Sequence, residues 1–188
     1  GIHVLTDPLA IGEPITVTDA DGPVHFYGIP YLEPAIVRQY WGDAELRTQA
    51  QTLAHAMDIV RESLRENPGR SVAIAHCFAA GVDPTIGLER EVRQGGLDVV
   101  PLAAFDGPDY VALGHIHGRQ QISERVRYSG APLHYSFGEQ NKPRGSWLVD
   151  LDATGLASVE WLDLPVPRRL VTITGPLVAP AILSGTLL

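Results

Sequence analysis

The chain has few of the features that mark secreted or membrane proteins. Cys77 is the only cysteine in 188 residues, so no disulfide can form within the chain, and sparse cysteine is typical of a reducing cytoplasm. No apolar run reaches the roughly 18 residues that a membrane span needs. No basic segment followed by an apolar one marks a secretory signal. We therefore expect a cytoplasmic protein that makes no membrane contact.

Basic charge is also scarce. The sequence has 14 Lys plus Arg against 22 Asp plus Glu, a formal net charge of −8. This negative net charge argues against a protein that binds nucleic acid through its overall charge, because phosphate contacts come from basic side chains. It does not exclude a nuclease, since bound divalent ions supply a large local positive charge. A hydrophobic fraction of 45% is typical of a globular domain with a substantial core.

Hydrophobic periodicity predicts a long helix in the first half of the chain. Apolar residues recur three or four positions apart, as on one helix face, at Leu46, Ala50, Leu53, Met57, Val60 and Leu64. We predict Asp43 as its N-cap and Asn67–Gly69 as its end. Ile2–Leu5 and Val24–Ile29 are predicted strands. Ser71–His76 and Asp109–His115 are continuous apolar strands, which indicates burial on both faces.

The second half is predicted to be mainly antiparallel β-structure. Strand-like runs follow one another after Gly118, and Asp152–Gly155 between two of them is a hairpin signal. The last of these runs is 168–175. Residues 77–100 are glycine-rich with little periodicity, and we predict a long loop there with a short helix near Leu88–Val92. A loop of this length inside a compact domain is usually functional or mobile. The fold class is therefore α/β, in layers.

Three histidines follow the two apolar strands. His76 comes after "SVAIA", and His115 and His117 come after "YVALG". Ligands gather beyond the carboxyl ends of strands in α/β sheets, so these imidazoles converge if the two strands are neighbours. Taken alone, His76 is better explained as an ordinary core histidine. The Gly-His-Ile-His-Gly unit is not, because neutral imidazole is the commonest metal ligand and residues i and i+2 of a strand face the same way.

Several segments resemble one known family. "AHCFAAG" (75–81), "GGLDVVP" (95–101), "FDGPDYVALGHIHGRQ" (105–120) and "RYSGAPLHYSFGE" (127–139) are similar to the SbcD-type DNA exonuclease subunits. "FYGIPYLEP" (26–34) is similar to the same family, which belongs to the calcineurin-like metallophosphoesterases. The resemblance covers residues 1 to about 175, and Gly-His-x-His is its most specific part.

The resemblance implies a layered αββα sandwich and a two-metal phosphodiesterase that cleaves at DNA ends. It implies two divalent ions, Mn²⁺ in most members, and a partner of the SbcC ATPase type. His76 and His115 would bind one ion and His117 its neighbour. The sequence also offers three candidates for DNA contacts, because they lie in loops near this site: Arg119, Lys142 and Arg144. They are weaker candidates than the histidines, because most lone basic residues make no specific contact. Whether the chain forms a homodimer is left open.

Three motifs of the family are missing. The sequence contains neither Asp-x-His nor Gly-Asn-His-Asp, and its single Gly-Asp, at Gly42–Asp43, opens the predicted helix. We therefore expect residues 1–175 to be the C-terminal part of a nuclease domain, and 176–188 to begin a capping region. Without the carboxylates of those motifs, the isolated chain is expected to be inactive.

Two other functions stay open at this point. One is a general metallophosphoesterase acting on nucleotides or phosphoproteins, because Gly-His-x-His serves the whole superfamily. The other is a non-catalytic half-domain that binds or assembles with a partner. Nearby residues have structural explanations: Cys77 as a small buried apolar residue, His134 as a structural histidine, and Trp147 and Trp161 as sheet packing.

Overall fold

A computed structural model describes residues 1–81 and 99–174. Its helices are α1 (Pro34–Tyr40) and α2 (Gln49–Glu66). Its strands are β1 (Ile15–Asp19), β2 (Gly22–Ile29), β3 (Arg70–His76), β4 (Phe78–Ala79), β5 (Val99–Val100), β6 (Tyr110–Gly114), β7 (Gln120–Gln121), β8 (Val126–Tyr128), β9 (Arg144–Asp152) and β10 (Gly155–Leu164). Short 3₁₀ turns lie at Pro8–Ala10, Leu102–Phe105 and Phe137–Glu139.

A six-stranded sheet with the order β1-β2-β3-β6-β8-β7 forms the centre of the fold. The pairs β2–β3, β3–β6 and β6–β8 are parallel, and the two edge pairs are antiparallel. A separate antiparallel hairpin joins β9 to β10. The protein is therefore mixed α/β with a mainly parallel central sheet, as the apolar strands predicted.

The two faces of the sheet are covered differently. Helix α2 packs on one face, where Tyr27, Met57 and Val111 belong to the large buried cluster. On the opposite face a smaller cluster of Val24, Val72 and Tyr110 packs against apolar residues of the β9–β10 hairpin. The continuous apolar composition of β3 and β6 follows from this burial on both faces.

Helix α2 begins later than the sequence predicted. Thr48, not Asp43, is its N-cap: the Thr48 hydroxyl accepts a hydrogen bond from the Gln51 amide, and the Gln51 side chain accepts one from the Thr48 amide. This reciprocal capping box satisfies two amide groups that the helix leaves unpaired. Asp43 instead caps a turn by accepting from the Glu45 amide. The predicted N-cap was wrong because a better capping pair lies five residues downstream.

Several strand predictions also need correction. Residues Ile2–Leu5 form no strand, whereas β1 was not predicted and pairs with β2 through residues that are mostly exposed. No strand lies in the described part of 168–175. The second half is only partly antiparallel, because β8 adds to β6 in parallel. Most of the predicted loop, residues 82–98 with the short predicted helix, lies outside the described residues, and β4 and β5 pair on either side of it.

No helix within residues 1–81 and 99–174 is long and apolar enough to span a membrane.

Candidate functional site

The structure brings the three predicted histidines together. β3 and β6 are adjacent and parallel, and their register places His76 opposite Gly114, directly before His115. His76, His115 and His117 line one cavity of about 150 Å³, together with Gly114, Ile116, Gly130 and Ala131. The site therefore lies at the carboxyl ends of two neighbouring strands, where α/β sheets bind ligands.

The geometry argues against an ordinary core role for these histidines. His76 is exposed at the end of a mostly buried strand, and His115 and His117 are half-buried. The His76 and His115 rings meet edge to face, with 5.3 Å between their centroids. Tyr31 and Phe78 flank the pair, with ring centroids 6.1 Å from His76 and 6.4 Å from His115 respectively.

The backbone around β6 is shaped to bring these rings close. A Cβ at Gly114 would lie 2.9 Å from the His76 Nδ1 atom, so only glycine leaves the ring where it is. His115 has φ of 107°, a conformation that non-glycine residues rarely adopt. Backbone strain of this kind persists only where the surrounding structure holds it in place. Strained residues are concentrated at functional sites.

A buried tyrosine fixes the turn that follows His76. The Tyr128 hydroxyl donates to the Cys77 carbonyl oxygen at 2.8 Å and accepts from the Ala79 amide at 2.9 Å. Burial raises the pKa of Tyr128, so it remains a neutral donor. Cys77 is buried, as the sequence predicted, and burial raises the pKa of its thiol to about 12. Cys77 is not among the residues that line the histidine cavity.

His117 is held by a buried acidic residue that the sequence analysis did not single out. Its Nδ1 lies 2.9 Å from Oε1 of Glu139. Burial opposes ionisation of Glu139, but hydrogen bonds from the Tyr135 amide and His117, with the nearby charge of Arg144, hold the pKa of its carboxyl below the usual range. The sequence signal that could have identified Glu139 was its place in "YSFGE", a segment that resembles the family. Hydrophobic periodicity could not identify it, because Glu139 lies in a 3₁₀ turn.

The three basic candidates occupy different positions. Arg119 is exposed, and its guanidinium lies 4.6 Å from the ring centroid of Trp161 and 5.8 Å from that of Trp147. The two tryptophans pack against each other with 5.0 Å between centroids, on the hairpin as predicted. Lys142 is half-buried beside a separate cavity of about 290 Å³. Arg144 is buried and ion-paired with Glu139, which leaves it little access to a phosphate.

His134 has the structural place that the sequence indicated. Its Nε2 donates a hydrogen bond to the Lys142 carbonyl oxygen at 3.1 Å. This contact ties the segment before the 3₁₀ turn at Phe137–Glu139 to the segment after it, and so supports the position of Glu139.

Within the part of the chain that the structure describes, the cavity offers imidazole nitrogens but no carboxylate. Its lining residues are three histidines and four residues without ionisable side chains. Among the residues that the structure describes, no group of three or more His, Cys, Asp or Glu is arranged to hold a metal ion. Because a pair of divalent ions needs bridging and charge-neutralising oxygen ligands, these residues alone do not fit a two-metal centre.

Comparison with known proteins supports the resemblance that the motifs indicate. No protein-family model matches the chain. The SbcD subunit of the SbcCD nuclease from Staphylococcus epidermidis is 28% identical over 175 residues, which cover 93% of this chain and 45% of that protein. The predicted likeness to SbcD-type nucleases is therefore confirmed over nearly the whole chain. The chain spans about half the length of the curated relative it matches.

Proposed function

We propose that this chain contributes the histidine side of a metal-dependent nuclease site of the SbcD type, which cleaves phosphodiesters at DNA ends together with an SbcC-type ATPase. The observation that carries the proposal is the meeting of His76, His115 and His117 in one cavity at the ends of β3 and β6. The similarity to the SbcD protein of an SbcCD nuclease supports the same assignment.

In this proposal His76 and His115 bind one divalent ion and His117 binds its neighbour, with Mn²⁺ as the expected metal. The contact between the His76 and His115 rings supports their assignment to a shared ion. Because no carboxylate lines the cavity within the described residues, the site needs oxygen ligands from elsewhere. We therefore propose that the isolated 188-residue chain has little or no nuclease activity.

The fold proposal is a layered αββα sandwich of the metallophosphoesterase type. It is supported by the parallel sheet with α2 on one face and the β9–β10 hairpin on the other. Residues 1–175 would be the C-terminal part of a nuclease domain and 176–188 the start of a capping region. A homodimer remains a prediction.

For DNA contact we propose Arg119 first, because it is exposed and lies two residues beyond His117. Lys142 is a second candidate. Arg144 is reassigned to holding Glu139 and His117 in place, since its guanidinium is buried against both.

The test combines this chain with a polypeptide that carries Asp-x-His, Gly-Asp and Gly-Asn-His-Asp, so that every ligand type is present. We expect Mn²⁺-dependent degradation of end-labelled linear duplex DNA by the pair and none by the chain alone. His76→Ala, His115→Ala and His117→Ala should each abolish the activity. His3→Ala is the matched control, because His3 is exposed in the segment before β1. Cleavage by the chain alone that is lost in His115→Ala would show that the proposed incompleteness is wrong.

Assays on the same pair of polypeptides distinguish the nuclease from the two other candidate functions. A general phosphoesterase would hydrolyse small phosphomonoesters or nucleotides faster than DNA ends. A non-catalytic module would show no activity in the pair, and calorimetry would detect no Mn²⁺ binding. The three histidines gathered in one cavity favour the nuclease over a module without metals.

A further inference from the structure

Two tryptophans of the β9–β10 hairpin hold the side chain of Arg119. The guanidinium carbon of Arg119 lies over both rings, 4.6 Å from the centroid of Trp161 and 5.8 Å from that of Trp147. A cation at these distances is attracted by the face of an indole ring. The contact therefore restricts a side chain whose many rotamers would otherwise leave it mobile. Arg119 is exposed all the same, so a ligand in solution can reach it.

The two tryptophan rings are themselves fixed. The Trp147 Nε1–H donates to the Tyr128 carbonyl oxygen at 3.0 Å, and the Trp161 Nε1–H donates to the Asp163 carboxylate at 2.7 Å. A side chain at Gly145 on the neighbouring strand would collide with the Trp161 ring, so this ring packs directly on the backbone of β9. Together the rings of Trp147 and Trp161 form a tryptophan platform whose position is set by the hairpin.

The backbone of Arg119 lies next to the histidine cavity. Gly130 lines that cavity, and a Cβ at Gly130 would lie 2.6 Å from the His117 carbonyl oxygen and 3.1 Å from the Arg119 amide nitrogen. The Ala131 amide donates to the same His117 carbonyl oxygen at 3.0 Å. The Arg119 backbone is therefore packed against one wall of the cavity, and its side chain extends from there to the tryptophan platform.

The hydrogen-bond donors of Arg119 are available to a ligand. Stacking uses the flat face of a guanidinium and leaves the N–H groups at its edge unused. Within residues 1–81 and 99–174, no carboxylate or other acceptor pairs with the Arg119 guanidinium. Arg127 gives an internal comparison, because its guanidinium lies 4.6 Å from the Trp147 centroid. Arg127 is buried, however, and both its Nε and its Nη2 donate to the Glu124 carbonyl oxygen at 3.2 Å.

We propose that Arg119, held by the tryptophan platform, binds a backbone phosphate of the DNA substrate beside the histidine cavity, and that Trp161 is a positioning residue that acts through Arg119. This proposal rests on the proposed function. It names the group through which a chain of net charge −8 holds a polyanion. A guanidinium can offer two parallel N–H donors to two phosphate oxygens, which the ammonium group of lysine cannot do.

The test measures DNA binding, not cleavage. A fluorescein-labelled, blunt-ended duplex is titrated with the 188-residue chain between about 50 and 200 mM salt, and its anisotropy gives the affinity at each concentration. Loss of one phosphate contact lowers the slope of log affinity against log salt by about 0.9, so we expect this drop in Arg119→Ala. Arg125→Ala is the matched control, because Arg125 is also exposed and has no aromatic partner among the described residues.

Inorganic phosphate distinguishes a DNA phosphate from a small anion. At constant ionic strength, we expect it to displace the duplex only when it is in large excess, because it offers a single contact. Displacement by an equimolar amount would assign Arg119 to a small anion and overturn the proposal.

A double-mutant cycle connects Trp161 to Arg119. Trp161→Leu removes the ring beneath the guanidinium, and loss of an exposed cation–π contact should weaken DNA binding roughly two- to fivefold. In an Arg119→Ala background the same substitution should have no further effect, whereas a merely structural tryptophan would weaken binding equally in both backgrounds. Arg119→Lys keeps the charge but lacks the planar fork, so it should also bind DNA more weakly than the wild type.

Three results would contradict the proposal: an unchanged slope in Arg119→Ala, full affinity in Arg119→Lys, or an equal loss from Trp161→Leu in both backgrounds. The Arg119 variants decide the question even if Trp161→Leu fails to fold. If the paired polypeptides show no nuclease activity while these variants bind DNA as expected, the proposed function falls and the phosphate contact stands. If cleavage requires the histidines but DNA binding is indifferent to Arg119, the proposed function stands and this contact falls.

Discussion

Replacing Tyr128 by phenylalanine tests the argument about the turn behind His76. The change removes one hydroxyl and leaves the ring in a fully buried site. It deprives the Cys77 carbonyl and the Ala79 amide of the hydrogen bonds that the hydroxyl makes. An unsatisfied buried polar group costs about 1–3 kcal/mol, so the two together should lower the free energy of unfolding by roughly 2–6 kcal/mol.

Urea unfolding followed by tryptophan fluorescence measures this loss. With an m-value of about 2 kcal/mol/M, the unfolding midpoint of Tyr128→Phe should fall by roughly 1–3 M. Tyr40→Phe is the control, because Tyr40 is 59% exposed and its truncation should change the midpoint little. The two variants remove the same atom, so they differ in burial and contacts alone.

A loss of less than about 0.5 kcal/mol in Tyr128→Phe would refute the reasoning, since surface changes commonly have effects of that size. It would mean that water or a rearranged backbone satisfies the two groups. The turn after His76 would then owe its position to packing around Ala79, which is fully buried, and not to the tyrosine hydroxyl.

Three further predictions concern single residues. Cys77 should resist alkylation by iodoacetamide in the folded chain and react once urea unfolds it, because its thiol is buried and its pKa is raised to about 12. The pKa of Glu139 is held below its ordinary value of 4.5, so its contribution to stability is present above pH 4.5 and is lost as the pH falls through the folded-state pKa. The stability difference between wild type and Glu139→Gln should therefore shrink below pH 4.5 in acid-dependent urea unfolding. Thr48→Ala should lower the free energy of unfolding by about 1 kcal/mol, through loss of the N-cap.

Each of these predictions has a contrary result. Rapid alkylation of Cys77 in the native chain would show that its burial is wrong. A constant difference between wild type and Glu139→Gln across the acid range would contradict the lowered pKa. If Asp43→Ala lowered the free energy of unfolding more than Thr48→Ala does, the evidence would favour Asp43 as the N-cap, as the sequence predicted.

Local features whose causes lie close along the chain could be predicted from the sequence alone. Apolar spacing predicted most of α2, and continuous apolar runs predicted β3 and β6. The turn at Asp152–Gly155 predicted the β9–β10 hairpin. The three candidate histidines were also evident, because each follows an apolar strand directly. Such signals depend on neighbours a few residues apart, which a single sequence contains.

Where two local signals competed, the sequence favoured the wrong one. Asp43 and Thr48 are both acceptable N-caps by residue type, and the reciprocal contact with Gln51 decides between them. Ile2–Leu5 has strand composition, yet β1 occupies the edge beside β2, where backbone pairing matters more than apolar content.

The surroundings of the histidines, in contrast, depend on the tertiary fold. The parallel register of β3 and β6 brings His76 to Gly114, across 38 positions of the chain that carry no sign of this pairing. Arg144 was predicted only as a candidate for DNA contact and Glu139 was not singled out, but folding buries the two together beside His117. Their partners are chosen by contact through space, and the burial that makes the charges matter exists only once the chain has folded.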